Sequence, residues 1–164
     1  MSKYGGYYID ATIYLTTPLP IRDRLYTIKQ NYSEDYISHC QWTSFFWYVP
    51  KGHPLVRFLS DSLISYWDNN DTIIDYFLID YLIRIFYENN NDFRKEIDSI
   101  SNNNPDLYFF QSNECENVFD SNKWDSICKN TSIFKLNWKS SRTCEIEEHD
   151  TFYGMLIKGL LVNE

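Results

Sequence analysis

Two adjacent glycines that run into a short apolar stretch ending on an acid constrain this chain more than any other feature: Tyr4-Gly5-Gly6-Tyr7-Tyr8-Ile9-Asp10-Ala11-Thr12. Consecutive glycines admit positive φ or a close backbone approach, and Tyr7, Tyr8 and Ile9 favour extended backbone. The stretch reads as turn, strand, acid. The strand pattern carries on through Ile13, Tyr14 and Leu15 until Pro18 and Pro20 end regular pairing. An aspartate at a strand end has two readings. It is a solvated residue beside a glycine turn, or it is where the chain's chemistry sits, if it has any.

The rest of the chain alternates extended and helical patterns, which predicts an α/β fold with a small mixed sheet and flanking helices. Residues 24–28 fit a short strand or helix, and 36–49 are dense in aromatic and β-branched residues and read as one strand or two. Pro54 suits the first turn of a helix, whose apolar face carries Leu55, Phe58, Leu59, Leu63, Tyr66 and Trp67. Residues 68–71 then offer an N-cap for a second helix over 72–88, with an apolar stripe of Ile74, Phe77, Leu78, Tyr81, Leu82, Ile85 and Phe86. On that helix Asp75 lies along the edge of the stripe, where a carboxylate needs a partner. Asp80 has Arg84 at i+4, the spacing of a surface ion pair.

Beyond residue 92 the signals are shorter. A helix over 93–100 ends in the breaker Ser101-Asn102-Asn103-Asn104-Pro105, a brief helix fits 107–111, and 121–129 reads as a helix with Trp124 and Ile127 inward. Residues 131–139 alternate as a late strand. Ile133, Lys135, Asn137 and Lys139 fall on one face and Phe134, Leu136 and Trp138 on the other. Two lysines thus share a face, where strand lysines ordinarily stand as solvated edge charges. An apolar segment over 152–161 predicts a short terminal helix that covers the core.

Bulk properties narrow the function. The 164 residues are enough for one domain, 1–164, and an aromatic content of 18% argues for a packed chain. A formal net charge of -8 disfavours nucleic acid as a partner. Cys40, Cys115, Cys128 and Cys144 form no CxxC pair, so zinc-site spacing is absent. With no secretory signal and no apolar run near the ~20 residues that span a bilayer, the expectation is a cytoplasmic protein without a transmembrane segment. No catalytic-triad order, P-loop or GxGxxG is present.

Tyr4, Gly5, Gly6, Tyr8, Asp10, Ala11 and Thr12 match a Tyr-Gly-Gly-x-Tyr-x-Asp-Ala-Thr segment. The chain therefore resembles the capsular polysaccharide synthesis family, related to glycosyltransferase family 32, whose enzymes have the GT-A fold. The resemblance extends to Gly52-His53-Pro54-Leu55, Tyr66-Trp67, the segment from Ile74 to Tyr81, and Asn103-Asn104-Pro105. It implies transfer of a sugar, with retention at the anomeric centre, from a nucleotide-sugar donor to a glycan or lipid-linked glycan acceptor, at the inner face of the cell membrane if peripheral. Asp10 becomes a metal ligand for Mn2+ or Mg2+ in a DxD-like motif, with Thr12 where many such enzymes have a second carboxylate. Gly5, Gly6, Tyr8, Thr12, Lys135 and Lys139 become donor-binding residues, and Asp75 a catalytic-site residue against sugar hydroxyls. His149, in an acidic stretch, is a weaker metal candidate.

Enzymes of the GT-A fold place a nucleotide-binding half before the aspartate motif, and here only three residues precede Tyr4. The expectation is thus a carboxy-terminal portion of such a transferase lacking its amino-terminal half. The rival reading is a non-catalytic remnant that binds glycan, or an interaction module that pairs with a separately encoded amino-terminal half through an open sheet edge.

Overall fold

A computed structural model of the protein describes residues 3–137, 139 and 141–161. It is an α/β structure, as expected. In chain order its strands are β1 (Gly6–Ile9), β2 (Ile13–Leu15), β3 (Tyr26–Thr27), β4 (Phe46–Val49), β5 (Ile133–Lys135), β6 (Glu145–Ile146) and β7 (His149–Asp150). Its helices are α1 (Pro54–Asn69), α2 (Leu78–Asn89), α3 (Asn91–Ser99), α4 (Ser121–Cys128) and α5 (Phe152–Ile157). Two compact units share these elements. One comprises Met1–Ile9 with Ile21–Asn102, the other Asp10–Pro20 with Asn103–Glu164.

In place of one mixed sheet, the described residues form three small sheets in which every strand pairing is antiparallel. The first unit holds the order β1-β4-β3, the second holds β2-β5 and the hairpin β6-β7. The amino-terminal stretch is therefore not one strand continuing to Leu15. The Ile13 N–H donates to the Asp10 carbonyl at 3.1 Å, and this turn sends β1 to pair with β4 and β2 to pair with β5. A turn at a polar Asp-Ala-Thr costs little, because aspartate and threonine satisfy turn backbone readily.

In the first unit α1 begins as expected, with Pro54 in its first turn and the His53 ring accepting the Leu55 N–H. The second helix starts six residues later than its pattern predicts, at Leu78 instead of 72. Its approach is held in another conformation: the Tyr66 hydroxyl donates to the Thr72 carbonyl and accepts the Ile74 N–H, and the Asp75 carboxylate accepts the Phe77 N–H at 2.7 Å. Local side-chain bonds of this kind compete with helix formation. The buried face of α2 is also rotated from the expected stripe. Leu78, Asp80 and Ile83 point inward, whereas Tyr81 and Ile85 are exposed, as are Ile74 and Phe77 ahead of the helix. The core packs Ile83 with Leu25, Trp42, Trp47, Val49, Leu55, Phe93 and Ile97.

The second unit is built on an aromatic core of Phe109, Phe110, Trp124, Phe134 and Phe152, closed by Cys115, Ile127 and Leu161. Trp124 and Ile127 face inward from α4 as expected. The brief helix expected over 107–111 is a 3₁₀ turn over Phe109–Gln111. The late strand is shorter than its alternation suggests, ending at Lys135, and both Ile133 and Phe134 are buried. Trp138 lies outside the described residues. The unanticipated β6-β7 hairpin turns on Glu147 and Glu148 at φ 48° and 66°, the positive-φ pair of a tight hairpin loop. Among the described residues no helix is long and apolar enough to cross a membrane.

Candidate functional site

The sequence pair Asp10 and Lys135 meets in the second unit, and backbone bonding on several sides decides where the lysine stands. Ile13 pairs with Lys135 in the β2-β5 register, so Lys135 lies across from the turn that carries Asp10. The Lys135 N–H donates to the Leu107 carbonyl at 2.8 Å, the Gln111 side-chain amide donates to the Lys135 carbonyl at 3.1 Å, and the Leu136 N–H donates to the Thr12 carbonyl at 2.8 Å. The segment leading into β5 is held by Asn104, which is buried in the left-handed region at φ 49°. Its Oδ1 accepts the N–H groups of both Ser132 and Ile133, at 2.9 and 3.1 Å. Asparagine tolerates that backbone region better than most residues. The Asn-Asn-Pro motif thus acts as a brace for the strand that carries the lysine, a role its loop-like composition conceals.

On this frame Lys135 Nζ lies 3.2 Å from Asp10 Oδ2 and also donates a short hydrogen bond to Thr12 Oγ1. The lysine side chain is 17% exposed and the aspartate 36%. The ammonium therefore sits within the surface and the carboxylate opens outward. A charge-assisted bond of this kind orients both groups. Together they present a cation and an anion side by side at one sheet end, from residues separated by 125 positions.

Asp10 offers the hard oxygen that magnesium and manganese prefer. Among the described residues no group of three or more His, Cys, Asp or Glu side chains is arranged to hold a metal ion. Asp10 thus stands as a carboxylate paired with the Lys135 ammonium and belongs to no such group.

The other expected residues are placed as follows. Gly5 (φ 72°) and Gly6 (φ 114°) belong to the first unit and make the expected turn. A Cβ on Gly5 would lie 2.5 Å from the Lys51 nitrogen and 2.8 Å from the Val49 carbonyl oxygen, so its lack of a side chain serves a close backbone crossing. Tyr8 is an exposed residue of β1. Lys139 stands beyond the end of β5, exposed, with its N–H donating to Asn137 Oδ1, so the strand face it was to share with Lys135 does not reach it. His149 is exposed in β7, its Nδ1 donating to the Glu147 carbonyl at 2.8 Å. Asp75 is in the first unit, ahead of α2 and not on it. Its carboxylate holds the Phe77 N–H and its carbonyl accepts the Leu78 N–H.

Asp80 is the titratable residue whose place the sequence hides most. The expected surface pair with Arg84 does not form. Arg84 bonds Glu88 at 2.6 Å and His39 Nδ1 at 3.0 Å, while Asp80 is 9% exposed in the first turn of α2. The cause is the rotation of the helix, which turns Asp80 to the side of buried Ile83. Burial raises the Asp80 pKa, and the nearby Ser44 hydroxyl and Trp42 indole pull it back only in part. The indole N–H itself falls short of full hydrogen-bond geometry. The folded chain therefore keeps this proton to higher pH than the unfolded chain does. The associated stability is complete below the ordinary carboxyl value of about 4 and is lost as pH rises through the folded value. Asp80→Asn should thus gain stability relative to the wild type as pH rises from 4 to 8. Urea unfolding of both proteins across that range checks this, and a difference that stays flat or falls with pH would refute it.

Residues 1–156 match the model of a family described as capsular polysaccharide synthesis protein. No curated protein and no solved structure matches the chain.

Proposed function

From its membership of the capsular polysaccharide synthesis family, we propose that this chain serves capsule synthesis as a glycosyltransferase that moves a sugar from a nucleotide-diphospho-sugar to a glycan hydroxyl. The observation that carries the reading is the adjacency of Lys135 Nζ and Asp10 Oδ2 at 3.2 Å, with Thr12 beside them. In such a transfer the bond from the anomeric carbon to the diphosphate breaks and the acceptor oxygen takes its place. The nucleoside diphosphate leaves with the bonding electrons and the acceptor hydroxyl gives up its proton. The demand on the protein is to bind and stabilise the departing negative charge. Lys135 answers it with an ammonium that bonds one diphosphate oxygen, held in position by the backbone bonds on either side of it. Asp10 supplies an oxygen ligand for Mn2+ or Mg2+, and such an ion, when bound, adds charge stabilisation of the same kind.

Calorimetric titration with a panel of nucleotide-sugars in the presence of Mn2+ tests the reading. At least one donor is expected to give binding heat with the wild type. Affinity should fall about tenfold to a hundredfold in Asp10→Ala, the loss expected for removing one charged partner. An absence of heat from every donor with both proteins would sink it.

A further inference from the structure

We infer that Arg22 anchors an oxyanion site on the first unit, which takes a carboxylate or phosphate group between the two terminal nitrogens of its guanidinium. The inference is independent of Asp10, of Lys135 and of any cofactor.

The site is built on a row of tyrosines. In the register of the three-stranded sheet Tyr7 of β1 stands opposite Tyr48 of β4, and Tyr48 stands opposite Tyr26 of β3. Residues directly opposite each other across strands share a face, and the Tyr7 and Tyr48 rings lie 4.9 Å apart. Arg22, in the same unit and half-buried, is tied to this row at both its side chain and its main chain. Its guanidinium carbon lies 3.6 Å from the centre of the Tyr26 ring, its Nε donates to the Tyr7 hydroxyl at 2.9 Å, and its carbonyl accepts a short hydrogen bond from the Tyr48 hydroxyl. Stacking on Tyr26 sets the plane of the guanidinium, and the Nε bond sets its rotation within that plane.

The tyrosines orient the cation without neutralising it, because neither a ring nor a hydroxyl carries net charge. Among the described residues no carboxylate pairs with Arg22, and its Nη1 and Nη2 groups bond no protein acceptor. Carboxylates are plentiful in a chain with 23 acidic side chains against 15 Lys and Arg, and the next residue, Asp23, is itself an exposed acid. The guanidinium is nevertheless held by neutral groups, with its terminal N–H groups left to a ligand. Their planar fork matches the two oxygens of a carboxylate or phosphate. A long side chain ordinarily gives up rotamer freedom when it grips a ligand. Arg22 has given up that freedom on folding, so an incoming anion meets a fork already in place.

The test is heteronuclear NMR of the arginine side chains. The Nε–H resonance of Arg22, identified by its loss in Arg22→Lys, is followed as glucose 1-phosphate, glucuronate or glucose is added at fixed pH and ionic strength. The three share one ring and differ in the group at issue. A saturable shift of the Arg22 resonance is expected with at least one of the two anions and none with glucose, and the anion that gives it identifies the group. Tyr7→Phe keeps the ring and removes only the hydroxyl that holds Nε. It should weaken the binding about threefold to tenfold, the scale of one hydrogen bond. Arg22→Lys keeps the charge and loses the fork. It should weaken binding by about tenfold or more, followed through the amide resonances of Tyr26 and Tyr48. Well-dispersed amide spectra show that both variants are folded. The absence of a saturable shift with either anion, an equal shift with glucose, or undiminished affinity in either variant overturns the inference.

Discussion

Phe134→Ala should destabilise the protein by about 3–5 kcal/mol, the usual cost of emptying an aromatic site in a packed core. Phe134 is fully buried in the second unit, stacked on Trp124 with ring centroids 5.3 Å apart and flanked by Phe110 at 5.5 Å and Tyr14 at 6.3 Å. These neighbours are stiff rings that cannot easily collapse into the space left by a phenyl group, so the value should fall in the upper part of the range for core truncations. Phe134 is also the residue before Lys135 and sits in the middle of β5. Loosening it removes packing from the strand that presents the candidate site. Thermal unfolding followed by circular dichroism should show a midpoint lowered on the order of 10 °C. A loss below about 1 kcal/mol would mean that the aromatic cluster of the second unit is not a tight core.

Gly154→Ala is the second large effect, and its expected sign opposes that of local propensity. Gly154 lies within α5, where alanine would ordinarily gain about 1 kcal/mol over glycine. Here an ideal Cβ would stand 2.0 Å from the Cys144 carbonyl oxygen and 3.0 Å from its carbon, both backbone atoms. That carbonyl cannot swing away cheaply. It accepts the Thr151 N–H at 2.9 Å and the Thr151 hydroxyl at 3.0 Å, and the same hydroxyl accepts the Gly154 N–H at 2.9 Å as the cap of α5. The alanine methyl therefore breaks a cap or displaces the helix, and a net loss of about 2–3 kcal/mol is expected from overpacking on this scale. A urea midpoint that rises in Gly154→Ala would show that helix propensity outweighs the contact and that α5 is free to shift.

Much of the local structure was legible because it depends on near neighbours. The start of α1 followed from Pro54 and His53, the inward face of α4 from Trp124 and Ile127, and the turn at Gly5-Gly6 from adjacent glycines; each is found. The candidate site was legible in part. Asp10 stood out as an acid after a strand and Lys135 as a cation in one, and the structure brings these two together. Lys139 did not follow, because β5 stops at Lys135 when the next residues turn on Asn137.

The misplaced face of α2 has an identifiable cause. Residues 73–87 are apolar on nearly every side, so period alone cannot tell which face turns inward. The expected face put Asp80 outward with Arg84. Packing chose a face about one residue round, buried Asp80 and left Tyr81 and Ile85 exposed. Asp75 lies ahead of the helix and not on it for a separate reason: its carboxylate accepts the Phe77 N–H, a local bond that competes with helix formation.

By itself, then, the amino-acid order determined what neighbours within about four residues can settle: the glycine turn, the proline-led helix, the aromatic residues fated for a core and the acid at the end of β1. The tertiary structure alone decided the rest. It turned the chain at Asp10 so that β1 and β2 went to different sheets, set the rotation of α2, and brought an ammonium across 125 positions to the Asp10 carboxylate. Those choices depend on which distant surfaces pack together, and the free energy of that packing resides in contacts that no short window of sequence contains.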